Sequence, residues 1–201
     1  MACEHSNWIH SIFLYARACA RSRHLKIAFI LFLISGPAAA ADRAFDASVA
    51  ALKSADLKTK FDGLEKIKAF HTRAAAQALA QSAARERDAN FRLAALDQIA
   101  ALQISAVAPE LAPCLRDKTA AIRQRAARVI GILGGPGAEA VLLTALPYES
   151  DPSVKAAMVQ ALGLCGSARS DAALNAAVSD ADPSVRANAA HARKRIKGQR
   201  G

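Results

Sequence analysis

The fold is decided by residues 151–166, which read DPSVKAAMVQALGLCG. Asp151 can accept hydrogen bonds from the free N–H groups of a first helical turn, and Pro152 falls where a missing N–H costs nothing. Apolar residues then recur every three or four positions, which predicts a helix with one buried stripe. Gly166 follows as a residue that can end it.

The same pattern recurs along the chain. Five segments begin in this way, with first residues spaced by 32, 31, 32 and 31 positions: Asp56, Asp88, Thr119, Asp151 and Asp182. Each predicts a helix start, and a fixed period of this length is typical of repeat architectures. The predicted buried stripes share one phase: Leu64, Ile67, Phe70; Leu96, Ile99, Leu102; Ala127, Ile130, Leu133; Val159, Leu162, Cys165. Small residues share one position, which indicates close helix crossings: Ala100, Gly131 and Gly163.

Shorter Ala-rich segments lie between these helices and can form the first helix of each pair. They cover about 44–54, 72–87, 106–115, 138–146 and 170–179. Glycine-rich turns such as Gly134 to Gly137 separate one helix from the next. Because Ala dominates and aromatic residues make up only 5% of the chain, we expect an all-α protein of helical hairpins.

The stretches 117–134 and 151–166 resemble HEAT repeats of the short type shared with bilin lyases. The resemblance covers about residues 44–197 and implies a right-handed α-solenoid of about five HEAT-like helical hairpins. It reports architecture and carries no lyase chemistry, so we expect a non-enzymatic member. The first pair departs from the pattern, with Thr59 where Val or Ile is expected, as a terminal capping repeat does.

The first 41 residues predict an export leader. Four basic residues precede the apolar run 27–34, which is followed by Gly36, Pro37 and the alanines 38–41. This order is typical of a signal peptide and predicts cleavage near Ala41 and a secreted or periplasmic protein. An uncleaved leader that anchors the chain to a membrane is the weaker alternative, and a true start near Leu25 is the other open point. The mature chain would comprise a HEAT-like domain, 42–197, and a basic tail end, 198–201.

The mature chain is basic, with 23 Lys and Arg against 16 Asp and Glu, or net +7. It keeps Cys114 and Cys165, which we expect to be free thiols on apolar helix faces, although pairing in an oxidising compartment is the alternative. No metal or cofactor site is expected, since His71 and His191 are its two histidines and no ligand pair is spaced for a metal. No catalytic motif appears either, so we expect no enzyme and no small-molecule substrate.

A basic residue follows each helix start by four positions. These residues form the basic row: Lys60, Arg92, Arg123, Lys155 and Arg186. Four of them stand four residues after an Asp, which favours an i,i+4 ion pair within one helix. The resemblance implies that such residues also bridge neighbouring repeats. We therefore interpret this row as a structural ladder and not as an anion site.

A second row, nine positions after each helix start, is polar in every repeat. We call it the polar row: Glu65, Asp97, Arg128, Gln160 and His191. The resemblance places the second helix of each pair on the concave surface, so this row predicts a partner-binding groove, with Gln124, Arg125 and Asn188 beside it. An ordinary solvated helix face is the alternative interpretation.

The expected partner is a protein or peptide. Nucleic acid is disfavoured by the few aromatic residues and by the leader, although a nucleic-acid-binding module with a misread leader is the alternative function. The basic tail is expected to cap the last helix and could also contact anionic lipid heads weakly.

Overall fold

The computed structural model of the chain describes residues 39–198. The chain divides into two compact units, Met1–Ala47 and Ser48–Gly201. In the first unit the described residues, 39–47, are helical. The predicted leader therefore lies outside the described residues except for its last three, and the tail end lies outside them except for Gly198. Within the part of the chain that is described, no helix is both long enough and apolar enough to span a membrane.

The second unit is a series of helical hairpins. Residues 48–52 are helical, and the following helices are α1 Leu57–Ile67, α2 Arg73–Arg85, α3 Ala89–Leu102, the 3-10 helix Ser105–Arg116, α4 Ala120–Leu133, α5 Gly135–Ala145, α6 Pro152–Cys165, α7 Asp171–Ala177 and α8 Pro183–Gly198. Short 3-10 turns, Leu146–Tyr148 and Ala168–Ser170, precede α6 and α7. Residues 39–198 contain no strand, so the all-α prediction is confirmed.

All five predicted helix starts are confirmed. The carboxylate of Asp56 accepts the Thr59 N–H at 2.8 Å, and that of Asp88 accepts the Phe91 N–H at 2.7 Å. Asp151 and Asp182 each accept two N–H groups of the turn that follows them. Thr119 differs, because it occupies the cap position without a side-chain cap bond. The helices beginning at these five residues, α1, α3, α4, α6 and α8, are called the B helices below.

The other helix of each pair is called an A helix: residues 48–52, α2, Ser105–Arg116, α5 and α7. The A helix Ser105–Arg116 departs from the predicted α-helix, since it is a 3-10 helix throughout. Pro109 and Pro113 lie inside it, and each lacks the N–H that an α-helical bond to the fourth preceding carbonyl requires. The two prolines, one turn apart, account for the tighter winding.

The core lies between the A and B helices of each repeat. The predicted stripe residues are buried, apart from Phe70 and Cys165, which are half-buried at the ends of their stripes. The Phe61 and Phe91 rings meet in a T-shaped arrangement with centroids 5.3 Å apart, which links α1 to α3. Consecutive B helices pack directly on each other, α3 on α4, α4 on α6 and α6 on α8. Each repeat thus buries its apolar face against its neighbours.

Glycine permits the closest of these B-helix contacts. A Cβ atom added to Gly131 would lie 2.7 Å from the Cβ of Ala161, and one added to Gly163 would lie 2.8 Å from the Cβ of Ala192. Both values are shorter than carbon atoms tolerate. The predicted close crossings at these two positions are therefore confirmed.

We expect Gly163→Ala to lower the free energy of unfolding by about 1 to 3 kcal/mol, because the added methyl group forces α6 and α8 apart. An alanine in a helix interior is otherwise more favourable than glycine, so a loss identifies the crossing as its cause. Gly198→Ala is the control, since a Cβ there meets nothing within 4 Å. Chemical denaturation measures both, and an unchanged or raised stability of Gly163→Ala would contradict the crossing.

Candidate functional site

The basic row joins each repeat to the next through a carboxylate. The N–O distances are 2.5 Å for Lys60 with Glu86, 2.6 Å for Arg92 with Asp117, 2.7 Å for Arg123 with Glu149 and 3.0 Å for Lys155 with Asp180. In each pair the basic residue lies on a B helix and the acid lies in the loop between the A and B helices of the next repeat. The expected i,i+4 ion pair is wrong, because the four aspartates at helix starts accept backbone N–H groups of their own helices instead.

The four carboxylates form the acidic row, which the sequence interpretation missed: Glu86, Asp117, Glu149 and Asp180. Each stands two residues before a helix start, at the same 31- to 32-residue period as the basic row. Asp117, Glu149 and Asp180 also accept the N–H of the helix-start residue two positions later, at 2.8, 2.9 and 3.0 Å. One carboxylate therefore holds the preceding repeat and begins the next B helix.

The electrostatics agree with this double role. Burial raises the pKa of Glu149, but the hydrogen bonds from Arg123 and from the Asp151 N–H outweigh it and hold that pKa below its ordinary value of 4.5. Burial likewise raises the pKa of Asp117, and the bonds from Arg92 and Thr119 bring it below its ordinary value. Both groups are thus ionised at neutral pH, as their ion pairs require.

Arg186 ends the basic row differently. Its Nη1 donates to the carbonyls of Asp180 and Ala181, at 2.9 and 2.7 Å, as Arg123 Nη1 does to Asp117 and Lys118. Within residues 39–198 its guanidinium has no ion-pair partner of the kind that Glu149 provides for Arg123.

A buried carboxylate on α5 makes a further link between repeats that the sequence interpretation missed. Glu139 is 3% exposed and accepts the Ser167 N–H at 2.8 Å and the Ser170 hydroxyl at 2.7 Å. Burial raises the pKa of Glu139, but these bonds outweigh the effect and lower it below its ordinary value. These partners lie in the turn before α7, so the role of Glu139 is to anchor that turn.

The polar row is exposed in all five repeats. Glu65 is paired with Lys68 on its own helix, and Asp97 is paired with Arg125 at 3.1 Å. The side chains of Arg128, Gln160 and His191 make no hydrogen bond or ion pair to the described residues. Three polar side chains on adjacent B helices, α4, α6 and α8, are thus available to a partner.

The three residues predicted beside this row divide between two roles. Gln124 donates to the Ser153 carbonyl at 3.5 Å, and Asn188 donates to the Ala156 carbonyl at 3.4 Å. Both contacts cross between neighbouring B helices, so these two amides help to join α6 to its neighbours. Arg125 is 43% exposed in its side chain and is paired with Asp97.

Two exposed apolar residues accompany the polar row. Ile132 is 53% exposed and lies four residues after Arg128, and Leu164 is 38% exposed and lies four residues after Gln160. Residues four apart share one face of a helix, so each apolar side chain stands beside its polar neighbour. They were not predicted from the sequence, because the predicted apolar stripe included only positions that face the core. We call the exposed side of α4, α6 and α8 that carries these residues the B face.

The thiols and a cleft offer no comparable site. Cys114 and Cys165 are both free, and burial raises the pKa of Cys165 to about 11, so it is protonated at neutral pH. A cleft of about 650 Å³ beside Tyr148 has Asp117, Arg123 and Glu149 in its lining, and all three are engaged in the inter-repeat pairs. Residues 39–198 contain no cluster of side chains able to hold a metal ion.

Paired helices, stacked B helices and a repeated ion pair define the class of protein as an α-solenoid. Comparison with known families agrees, since residues 139–201 match the family model of HEAT repeats. The match covers the last two hairpins, and the preceding hairpins carry the same helix starts and the same ion pairs. Residues 139–201 thus form HEAT repeats, and the described hairpins before them share the same architecture. No curated protein matches the sequence significantly.

We expect Arg92→Ala to lower the free energy of unfolding by about 2 to 4 kcal/mol, because it leaves the Asp117 carboxylate and the Ala83 carbonyl without their buried donor. The Arg92 and Asp117 side chains are only 9% and 14% exposed. The matched control is Arg125→Ala, whose pair with Asp97 is 43% and 51% exposed and is expected to contribute less than about 1 kcal/mol. Equal losses in urea denaturation would contradict a structural ladder.

Proposed function

We propose that this protein is an exported scaffold that binds a partner protein or peptide through its B face and does not catalyse a reaction. HEAT repeats generally serve as scaffolds for protein interactions, and the family match supports that role here. The chain adds a specific surface to this general role.

One observation carries the proposal. Four of the five basic-row residues are paired with the acidic row, whereas Arg128, Gln160 and His191 are exposed and their side chains have no partner among the described residues. Arg128 and Gln160 stand one turn from exposed Ile132 and Leu164, respectively. Apolar residues within reach of unpaired polar groups are the usual composition of a protein interface, because the first supply buried area and the second supply specificity.

Rigid display is the mechanism that the repeat supports. The crossings at Gly131 and Gly163 hold α4, α6 and α8 together, and ion pairs join α4 and α6 to the repeat that follows each of them. A partner would then meet a surface that is already ordered, so little conformational entropy is lost in the scaffold on binding.

We expect the double variant Arg128→Glu, Gln160→Ala to keep its thermal stability within about 0.5 kcal/mol of the parent, since both side chains are exposed and unpaired. Capture of partner proteins from a periplasmic fraction should fall. The matched control is Arg116→Glu, Gln81→Ala, which changes exposed, unpaired residues of two A helices. The test compares the proteins retained by the two variants in quantitative mass spectrometry, and equal retention would assign the polar row to ordinary solvated surface.

Export rests on residues 1–41 and has its own test. A fluorescent or enzymatic reporter fused to the C-terminus should accumulate outside the cytoplasm, and the mass of the purified chain should match a start near Asp42. Exchanging the apolar run 27–34 for polar residues should keep the reporter in the cytoplasm. Cytoplasmic accumulation of the parent with an uncleaved mass would overturn export and favour the nucleic-acid-binding alternative.

A further inference from the structure

The three B helices that form the B face contain no acidic residue. Over α4, α6 and α8 the sequence has nine Lys and Arg residues and neither Asp nor Glu. Arg123, Arg125 and Lys155 are paired with acids from other elements. The remaining charge on these helices is positive and has no counter-charge on the helices themselves.

Part of that charge is placed on the B face. Arg128 and Arg195 are exposed and make no hydrogen bond or ion pair within residues 39–198. Arg128 stands on α4, one turn before Ile132, and Arg195 stands on α8, one turn after His191. Arg195 occupies the same repeat position on α8 as Leu164 does on α6, and Arg128 on α4 stands one turn earlier in its repeat. The helix α6 packs between α4 and α8.

The close packing of the helices makes these positions one surface. The glycine crossings let α6 approach α4 on one side and α8 on the other. Exposed Ile132 and Leu164 therefore form a small apolar centre on α4 and α6, with Arg128 one turn from Ile132 on α4 and Arg195 on α8 at the other side of α6. A partner that fits carries apolar side chains for the centre and carboxylates for its margins.

The other end of the B-helix layer is mixed in charge. Asp62 and Glu65 are exposed on α1, and Asp97 is exposed on α3. Glu65 and Asp97 are partly neutralised by Lys68 and Arg125. Lysines are exposed on α1 as well. An acidic segment would therefore meet both signs of charge there, whereas the charged side chains of α4, α6 and α8 are all basic, so charge favours the B face.

From these observations we infer that the partner segment bound by the B face is an acidic amphipathic peptide, whose apolar side chains pack on Ile132 and Leu164 while its carboxylates pair with Arg128 and Arg195. This inference rests on the proposed function and names the chemistry of its partner. A nucleic acid fits less well, because α4, α6 and α8 contain no Phe, Tyr or Trp on which bases could stack and the centre of the face is apolar.

The test is a selection from a displayed library of random peptides of about 16 residues, roughly four helical turns. The full chain is the target, and enriched peptides are measured by fluorescence anisotropy. We expect the enriched peptides to share a net negative charge and apolar residues at three- and four-residue spacing. The affinity should fall about tenfold with the double variant Arg128→Glu, Arg195→Glu and should also fall with added salt. The control Arg116→Glu, an exposed arginine of an A helix, should change it by less than about twofold.

The outcomes separate the inference from the proposed function. Neutral or basic peptides that lose binding in Ile132→Ser, Leu164→Ser would overturn the acidic partner and leave the B face as a binding surface. Peptides that bind all variants equally, or a selection that enriches none, would overturn both. A single-stranded oligonucleotide that binds the full chain more tightly than any enriched peptide, and loses that binding in Arg128→Glu, Arg195→Glu, would replace the acidic peptide by nucleic acid. Circular dichroism melts of each variant verify that the fold is kept.

Discussion

The structure depends on one repeated ion pair, in which a basic residue of one B helix meets a carboxylate in the next repeat. Three of these carboxylates have two kinds of partner, a basic side chain and a backbone N–H group. Glu149, for example, accepts two bonds from Arg123 of the preceding repeat and one from the N–H of Asp151, which begins the next helix. The same carboxylate therefore fixes both the preceding repeat and the residue at which the next helix starts. Stability in such an array is close to a sum of neighbour terms, since each repeat contacts only the repeats beside it.

This arrangement divides the charged residues into two groups with different freedom to change. The side chains of the four inter-repeat ion pairs are partly or wholly buried, so the loss of one leaves a desolvated partner behind. The side chains of the polar row lie in water, and those of Arg128, Gln160 and His191 have no partner in the described structure. Their chemistry differs from repeat to repeat, from Glu65 to His191, while the ladder keeps one sign throughout. Partner choice can thus be encoded in the polar row at little expense to folding.

The helix starts could be predicted from sequence because the chemistry that caps a helix is local to a few residues. The 3-10 winding of Ser105–Arg116 was not predicted, because an apolar pattern alone does not distinguish a 3-10 helix from an α-helix. Pro109 and Pro113, which lack the N–H groups that an α-helix needs, are the residues that could have indicated it. The true partner of Arg123 was missed for a different reason. Asp117, Glu149 and Asp151 all lie near it, and only the folded chain shows that Glu149, 26 residues away, makes the bond while the N-cap carboxylate turns to its own helix. The period of the acidic row was nevertheless present in the sequence.

Close packing and charge are connected on the B face. The glycine crossings bring α4, α6 and α8 together, and these helices lack acidic residues, so Arg128 and Arg195 are held on one surface without an internal counter-charge. Solvent screens this repulsion while the surface is free. When an apolar segment covers Ile132 and Leu164, it also displaces water from the neighbouring guanidinium groups, and an unpaired charge becomes more costly as its surroundings become less polar. A partner that brings carboxylates avoids that cost, whereas a neutral one does not. The apolar centre and the basic margin therefore select together for one class of partner, which neither feature would specify alone.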